Sequence, residues 1–100
     1  MKFEMKSEQN RTVLTLHEQM TYADRASFDK LIPSLVSHGQ PLVVDVADLN
    51  YMDSAGLGML LSLRDATEKR RVPLKLCRPQ GDVKELMNLS SLESLIPIEW

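Results

Sequence analysis

Polar and apolar residues alternate from Lys2 to Ser7, with Phe3 and Met5 as the apolar members, and again from Arg11 to His17, with Val13, Leu14 and Leu16 set to meet a core. A period of two predicts half-buried strands, and the turn at Glu8–Asn10 predicts that they pair as an antiparallel hairpin. From Tyr22 to Ser37 the spacing becomes helical, with Ala26 or Phe28, Leu31, Ile32, Leu35 and Val36 three and four apart. Pro33 falls inside this helix and is expected to kink or divide it unless it opens a second helical piece. Gly39 is its stop. Leu42–Val46, after Pro41, is a continuous apolar run of the kind buried on both faces of a sheet. A helix from Ser54 to Arg71 follows, then a strand at Leu74–Cys77 introduced by Pro73. Pro79 and Gly81 mark a loop, Asp82 caps a short helix reaching Leu89, and Ile96–Trp100 is a last short strand. The order is β-β-α-β-α-β-α-β. Helices between strands imply right-handed crossovers and a largely parallel sheet.

One hundred residues make one domain, 1–100, and 43% hydrophobic residues suffice for a core without disulfide or metal staples. The net charge of -2 argues against a nucleic-acid binder, which presents a basic face. The cluster Lys69-Arg70-Arg71 is expected to be a solvated helix end, where cations suit the dipole. Cys77 is the only cysteine, so no internal disulfide can form, and its place in a strand predicts a small buried hydrophobe rather than a nucleophile. The N-terminal segment shows no apolar signal region and no run is long enough to span a bilayer, so the expected location is the cytoplasm and no membrane insertion is expected.

The chemistry gathers at YMDSAGLGMLL, Tyr51–Leu61, where Asp53 and Ser54 lie between a strand end and a helix start. Open α/β sheets place their sites there, and the free N–H groups of a first helical turn favour an anion. Three readings compete for Ser54. As an N-cap it would contribute about 1 kcal/mol, a task that Asp53 could share. As a nucleophile it lacks support. Met52 stands where a nucleophile elbow needs glycine, and neither His17 nor His38 sits in a recognisable motif. As a phosphoacceptor it would carry about -1.5 to -2 charges against the helix dipole, which the fold tolerates and a docked partner would not. No phosphate-binding loop and no metal-ligand spacing occurs, so no cofactor, metal or catalytic residue is expected. Leu57, Met59, Leu60, Leu61, Leu63 and Ala66 cover more than half of the following helix, leaving Gly58, Ser62 and Asp65 as its polar strip. Either this helix is more deeply buried than usual or one edge faces a partner.

The stretch LVVDVADLNYMDSAGLGMLLSLRDAT, Leu42–Thr67, resembles the core of the STAS domain family, whose bacterial members include anti-sigma factor antagonists. Asp53, Ser54, Gly56, Leu57 and Gly58 match the family's D-S-x-G-L-G, and the order of segments matches along nearly the whole chain. The resemblance implies a four- or five-stranded mixed sheet with helices packed largely on one side. It also implies a non-enzymatic switch. In such antagonists the motif serine is phosphorylated by an anti-sigma factor that is a serine kinase, the unphosphorylated form binds that factor, and a phosphatase resets the cycle. Ser54 would then be the phosphoacceptor, Asp53 would flank it in the docking surface, and Gly56, Leu57 and Gly58 would shape the contact. Thr21 stands where many antagonists carry an acidic residue, with Asp24 three residues on as a substitute. Another branch of the family is a small cytoplasmic subunit of a lipid-transport ABC complex; Ser54 and Gly58 favour the antagonist branch. A monomer is the simpler expectation.

Overall fold

The computed structural model describes all residues, 1–100. Strands β1 (Lys2–Glu8) and β2 (Arg11–Met20) form the expected hairpin, paired from Lys2↔His17 to Glu8↔Arg11. Its two-residue turn, Gln9-Asn10, has φ of 50° and 64°. Positive φ at both central residues gives the twist that a tight hairpin needs, and asparagine adopts it more readily than most residues.

Helix α1 (Arg25–Val36), strand β3 (Leu42–Met52), helix α2 (Ser54–Lys69), strand β4 (Leu74–Cys77), helix α3 (Gly81–Leu89) and strand β5 (Ile98–Glu99) follow. The five strands lie in the order β1-β2-β3-β4-β5; β1 is antiparallel to β2 and all other neighbours are parallel. One apolar cluster of 20 buried residues joins alternate strand positions (Leu14, Leu16, Val44, Leu76) to Phe28 of α1, Leu60 and Leu63 of α2 and Met87 of α3. The helices therefore cover one face of the sheet, as expected. On the opposite face an open depression of about 350 Å³ is lined by Arg11, Lys75, Cys77 and Arg78 among others, over buried Val13, Val43 and Asp45. The stems of the long cationic side chains shield those three from water.

The structure departs from the expected boundaries in instructive ways. Strand β3 does not stop at Val46 but runs to Met52, because β2 continues beside it to Met20. The register shifts twice on the way, and each shift gives β3 one extra residue. Such bulges disturb the period of two, so A-D-L-N-Y-M does not read as a strand. Strand β1 is not half-buried: Phe3 and Met5 are 43% and 44% exposed. It is the sheet edge, and all seven of its residues are exposed. Tyr22–Asp24 forms a 3₁₀ turn ahead of α1, and Pro33 neither divides nor ends the helix. Its ring removes the N–H that would donate to Asp29, but both residues are exposed, so water can take the freed carbonyl. Asp82 is not the cap of α3. Gln80 holds that position, and Asp82 lies in the first turn, where its charge suits the dipole.

Candidate docking site at the start of the second helix

Met52 brings β3 to its end against the core, and the chain turns directly into α2 through a single extended residue, Asp53 (φ -101°, ψ -177°). Asp53 is the N-cap. Its Oδ1 accepts from the Gly56 N–H at 2.9 Å, and its Oδ2 accepts from the Tyr22 N–H at 3.1 Å. The same residue's N–H donates to the Met20 carbonyl at 3.4 Å. One carboxylate thus fastens the start of α2 to the 3₁₀ turn before α1. These bonds place Thr21–Asp24 beside Asp53–Gly58, two segments roughly thirty residues apart in sequence.

With the cap supplied by Asp53, Ser54 is left at the first helical position, exposed, with its hydroxyl free of hydrogen bonds within the chain. The capping role weighed for Ser54 therefore belongs to its neighbour. The two motif glycines differ. Gly56 is buried, and a Cβ there would fall 2.5 Å from Met52 Cγ and 2.8 Å from the Met20 carbonyl oxygen. It lets α2 close onto the ends of β2 and β3 and is not part of the outer surface. Gly58 is partly exposed, and a Cβ there would meet only Arg25 Nη1, at an ordinary 3.8 Å. Nothing in the packing requires glycine at 58. Leu57 is half-buried against the core.

Thr21 and Asp24 form a capping box. The Thr21 hydroxyl accepts from the Ala23 N–H at 3.4 Å, and Asp24 Oδ2 accepts from the Thr21 N–H at 2.8 Å. Asp24 Oδ1 also accepts from the terminal ammonium at 2.5 Å. Burial alone would raise the Asp24 pKa, but the hydrogen bonds from the ammonium and from Thr21 outweigh it and hold the carboxyl below its usual range. Both side chains are engaged in holding the turn.

Two residues at the site were not anticipated. Tyr22 is 77% exposed beside Asp53. Arg25 reaches across from α1, its Nη2 donating to Ser62 Oγ at 3.3 Å while Nε pairs with Asp29 at 3.4 Å. Ser54, Gly58 and Ser62 lie one helical turn apart on a single face, so Arg25 stands next to the line that Ser54 begins. The position of Arg25 depends on how α1 packs on α2, and no local pattern in sequence reveals that.

No three His, Cys, Asp or Glu side chains come together as a metal site. His17 stands between Asp48 at 3.4 Å and Glu4 at 3.8 Å on the sheet. Cys77 is half-buried rather than fully buried. Burial and the neighbouring Asp45 carboxylate push its thiol up, which keeps it a poor nucleophile. Asp45 itself accepts from the Ala47 N–H at 3.0 Å and pairs with Arg78. No helix is long and apolar enough to cross a membrane.

Comparison with known proteins agrees with this architecture. A STAS-domain-containing protein of Pseudomonas aeruginosa (strain UCBPP-PA14) is 40% identical over 56 residues; the match spans 56% of this chain and only about half, 55%, of that protein. A crystal structure from Thermotoga maritima, assigned as an anti-sigma factor antagonist, superposes with a TM-score of 0.85 at 16% identity, covering 98% of this chain and 86% of that one. The anti-sigma factor antagonist SpoIIAA in its unphosphorylated form superposes with a TM-score of 0.79 at 18% identity, covering 99% and 89%. Its phosphorylated form, from Bacillus, gives 0.65 at 18%, covering 99% and 92%. At these identities the structures establish a shared fold. The model of the STAS domain matches residues 2–99, and with that match over almost the whole length the chain belongs to the STAS domain family.

Proposed function

We propose that the chain is an anti-sigma factor antagonist: a non-enzymatic interaction module of the cytoplasm that binds an anti-sigma factor when Ser54 is unmodified and releases it when Ser54 is phosphorylated. The observation that carries this is the free hydroxyl of Ser54, exposed at the first position of α2 because Asp53 already caps the helix. A structural serine would be bonded. This one is presented to solvent.

A phosphate at Ser54 would add about -1.5 to -2 charges at the positive end of the helix dipole, where an anion gains about 0.3–1 kcal/mol. The Arg25 guanidinium, one turn away, can swing toward it. The fold therefore keeps its shape on modification. A partner seated over Tyr22, Ser54, Leu57 and Gly58 would meet a dianion beside the Asp53 carboxylate, and repulsion with desolvation opposes docking. The reading also draws support from the structural neighbours, which include an antagonist known in phosphorylated and unphosphorylated forms.

The test uses Ser54→Ala and Ser54→Asp variants as baits in native cells, with captured proteins identified by mass spectrometry. The alanine form is expected to hold a kinase-type anti-sigma factor that the aspartate form does not. Equal capture of that factor by both would remove the switch. An ABC transporter ATPase held equally by both would instead mark the chain as a lipid-transport subunit.

A further inference from the structure

The exposed strand β1 bears a pattern that none of the docking chemistry at Ser54 uses. Its seven residues, KFEMKSE, form the outer edge of the sheet. A long edge strand offers a row of unpaired backbone groups to another chain. The opposite edge, β5, has only two residues and offers little.

The hairpin decides which groups point outward. Glu8↔Arg11 closes a two-residue turn, so it is a hydrogen-bonded pair, and so in alternation are Lys6↔Val13, Glu4↔Thr15 and Lys2↔His17. The backbone N–H and C=O of Phe3, Met5 and Ser7 therefore face away from β2. Their side chains lie on the helix-bearing side, opposite Leu16, Leu14 and Thr12, while Lys2, Glu4, Lys6 and Glu8 lie on the open side.

We infer that β1 pairs antiparallel with β1 of a second copy of this chain, about a two-fold axis at Met5, to give a continuous ten-stranded sheet. In that register Met5 opposes Met5, Phe3 opposes Ser7, and all three outward-facing residues bond across the axis. The charged residues fall at the non-hydrogen-bonded positions, where side chains are closest. Glu4 then opposes Lys6 and Lys2 opposes Glu8, twice each, and every charge meets its opposite. The two neighbouring registers that also use the outward groups centre on Glu4 or on Lys6. They set Glu4 against Glu4 and Lys2 against Lys6, or Lys6 against Lys6 and Glu4 against Glu8. Like charges directly opposite are unfavourable, so the register centred on Met5 is favoured over its two neighbours; the registers centred on Phe3 or Ser7 also oppose unlike charges but pair only one end of the strand, and the two-fold closes the assembly at a dimer. The present ion pairs of these side chains, Lys2 with Glu18 at 3.3 Å, Lys6 with Glu8 at 3.6 Å, Arg11 with Glu8 at 3.7 Å and His17 with Glu4 at 3.8 Å, lie at the surface and are weak enough to exchange. Pairing also covers Met5 and Phe3, which are otherwise nearly half exposed. It uses none of the residues around Ser54 and holds whether or not Ser54 is a switch.

Sedimentation equilibrium over a wide range of concentration tests this. The wild-type chain is expected to pass from 11.4 kDa to double that mass as concentration rises. Lys6→Glu and Glu4→Lys should each weaken self-association by about tenfold or more, since each turns two attractive pairs into repulsive ones. A mixture of the two variants should form a heterodimer, because one then carries an acid at both the fourth and the sixth position and the other a base at both. Met5→Pro removes an outward N–H at a position where an edge strand tolerates proline, and should give a folded monomer by circular dichroism. A wild-type chain that stays at 11.4 kDa throughout would overturn the proposal. So would a dimer indifferent to these substitutions, or a mixture that fails to associate.

Discussion

Replacing Asp53 with alanine removes the acceptor of both the Gly56 and the Tyr22 N–H groups. The loss of an N-cap predicts a cost of about 1–2 kcal/mol. Ser54→Ala removes a hydroxyl that bonds nothing in the chain and should change stability by less than about 0.5 kcal/mol. Urea unfolding of the two variants side by side measures the contrast, and equal losses would show that Ser54 shares the cap. The glycines form a second contrasting pair. Gly56→Ala forces a methyl into Met52 and the Met20 carbonyl and should cost about 1–3 kcal/mol by the same measurement. Gly58→Ala meets open van der Waals distance and improves helix propensity, so it should be neutral or stabilising by up to about 1 kcal/mol. If it also weakens partner capture, the glycine serves the contact rather than the fold. The motif D-S-x-G-L-G marked these positions in sequence, but not their division of labour. Whether a missing Cβ faces a methionine or open space is decided by tertiary packing.

The 3₁₀ turn Tyr22–Asp24 is an element sensitive to acid. Asp24 has its carboxyl held below the ordinary value of 3.8 by the ammonium and by Thr21. A carboxyl depressed in the folded state binds fewer protons there than in the unfolded chain. Its stabilisation is therefore complete above the unfolded value and is lost as pH falls through the folded one. Acid unfolding followed by circular dichroism should thus show a component below about pH 4, beginning at the ordinary carboxylate value, that Asp24→Asn lacks; superimposable curves would contradict it. At this scale the sequence was informative wherever an element obeyed a single period. The hairpin, the helix from Ser54 and the Leu74–Cys77 strand lie close to where alternation or helical spacing placed them. The far half of β3 was hidden because two bulges break its alternation. Pro33 warned of a break that exposure makes unnecessary. The alternation of β1 was read as half-burial, and only the sheet order shows that the strand is an exposed edge.

A single cluster of 20 buried residues ties all three helices to one face of the sheet. Phe28, fully buried, is its largest member. Phe28→Ala should cost about 3–5 kcal/mol, a large part of the roughly 5–15 typical of a domain, and lower the thermal midpoint of one cooperative transition. Two separate transitions would mean that α1 folds apart from the rest. The order of elements and the mixed sheet were legible because connections between parallel strands require a crossover. The neighbours across α1 and α2, Arg25 against Gly58 among them, were not, because side-chain contacts between helices leave no periodic trace. The division of work at the start of α2 has a consequence for how such a domain changes over time. Position 53 is held by the fold, whereas position 54 is free of it. With Ser54 as the switch proposed above, one codon change there would replace a reversible signal by a permanent one, or silence it, in a protein that folds as before. On that reading the proposed signal would be open to rapid rewiring while the architecture stays fixed.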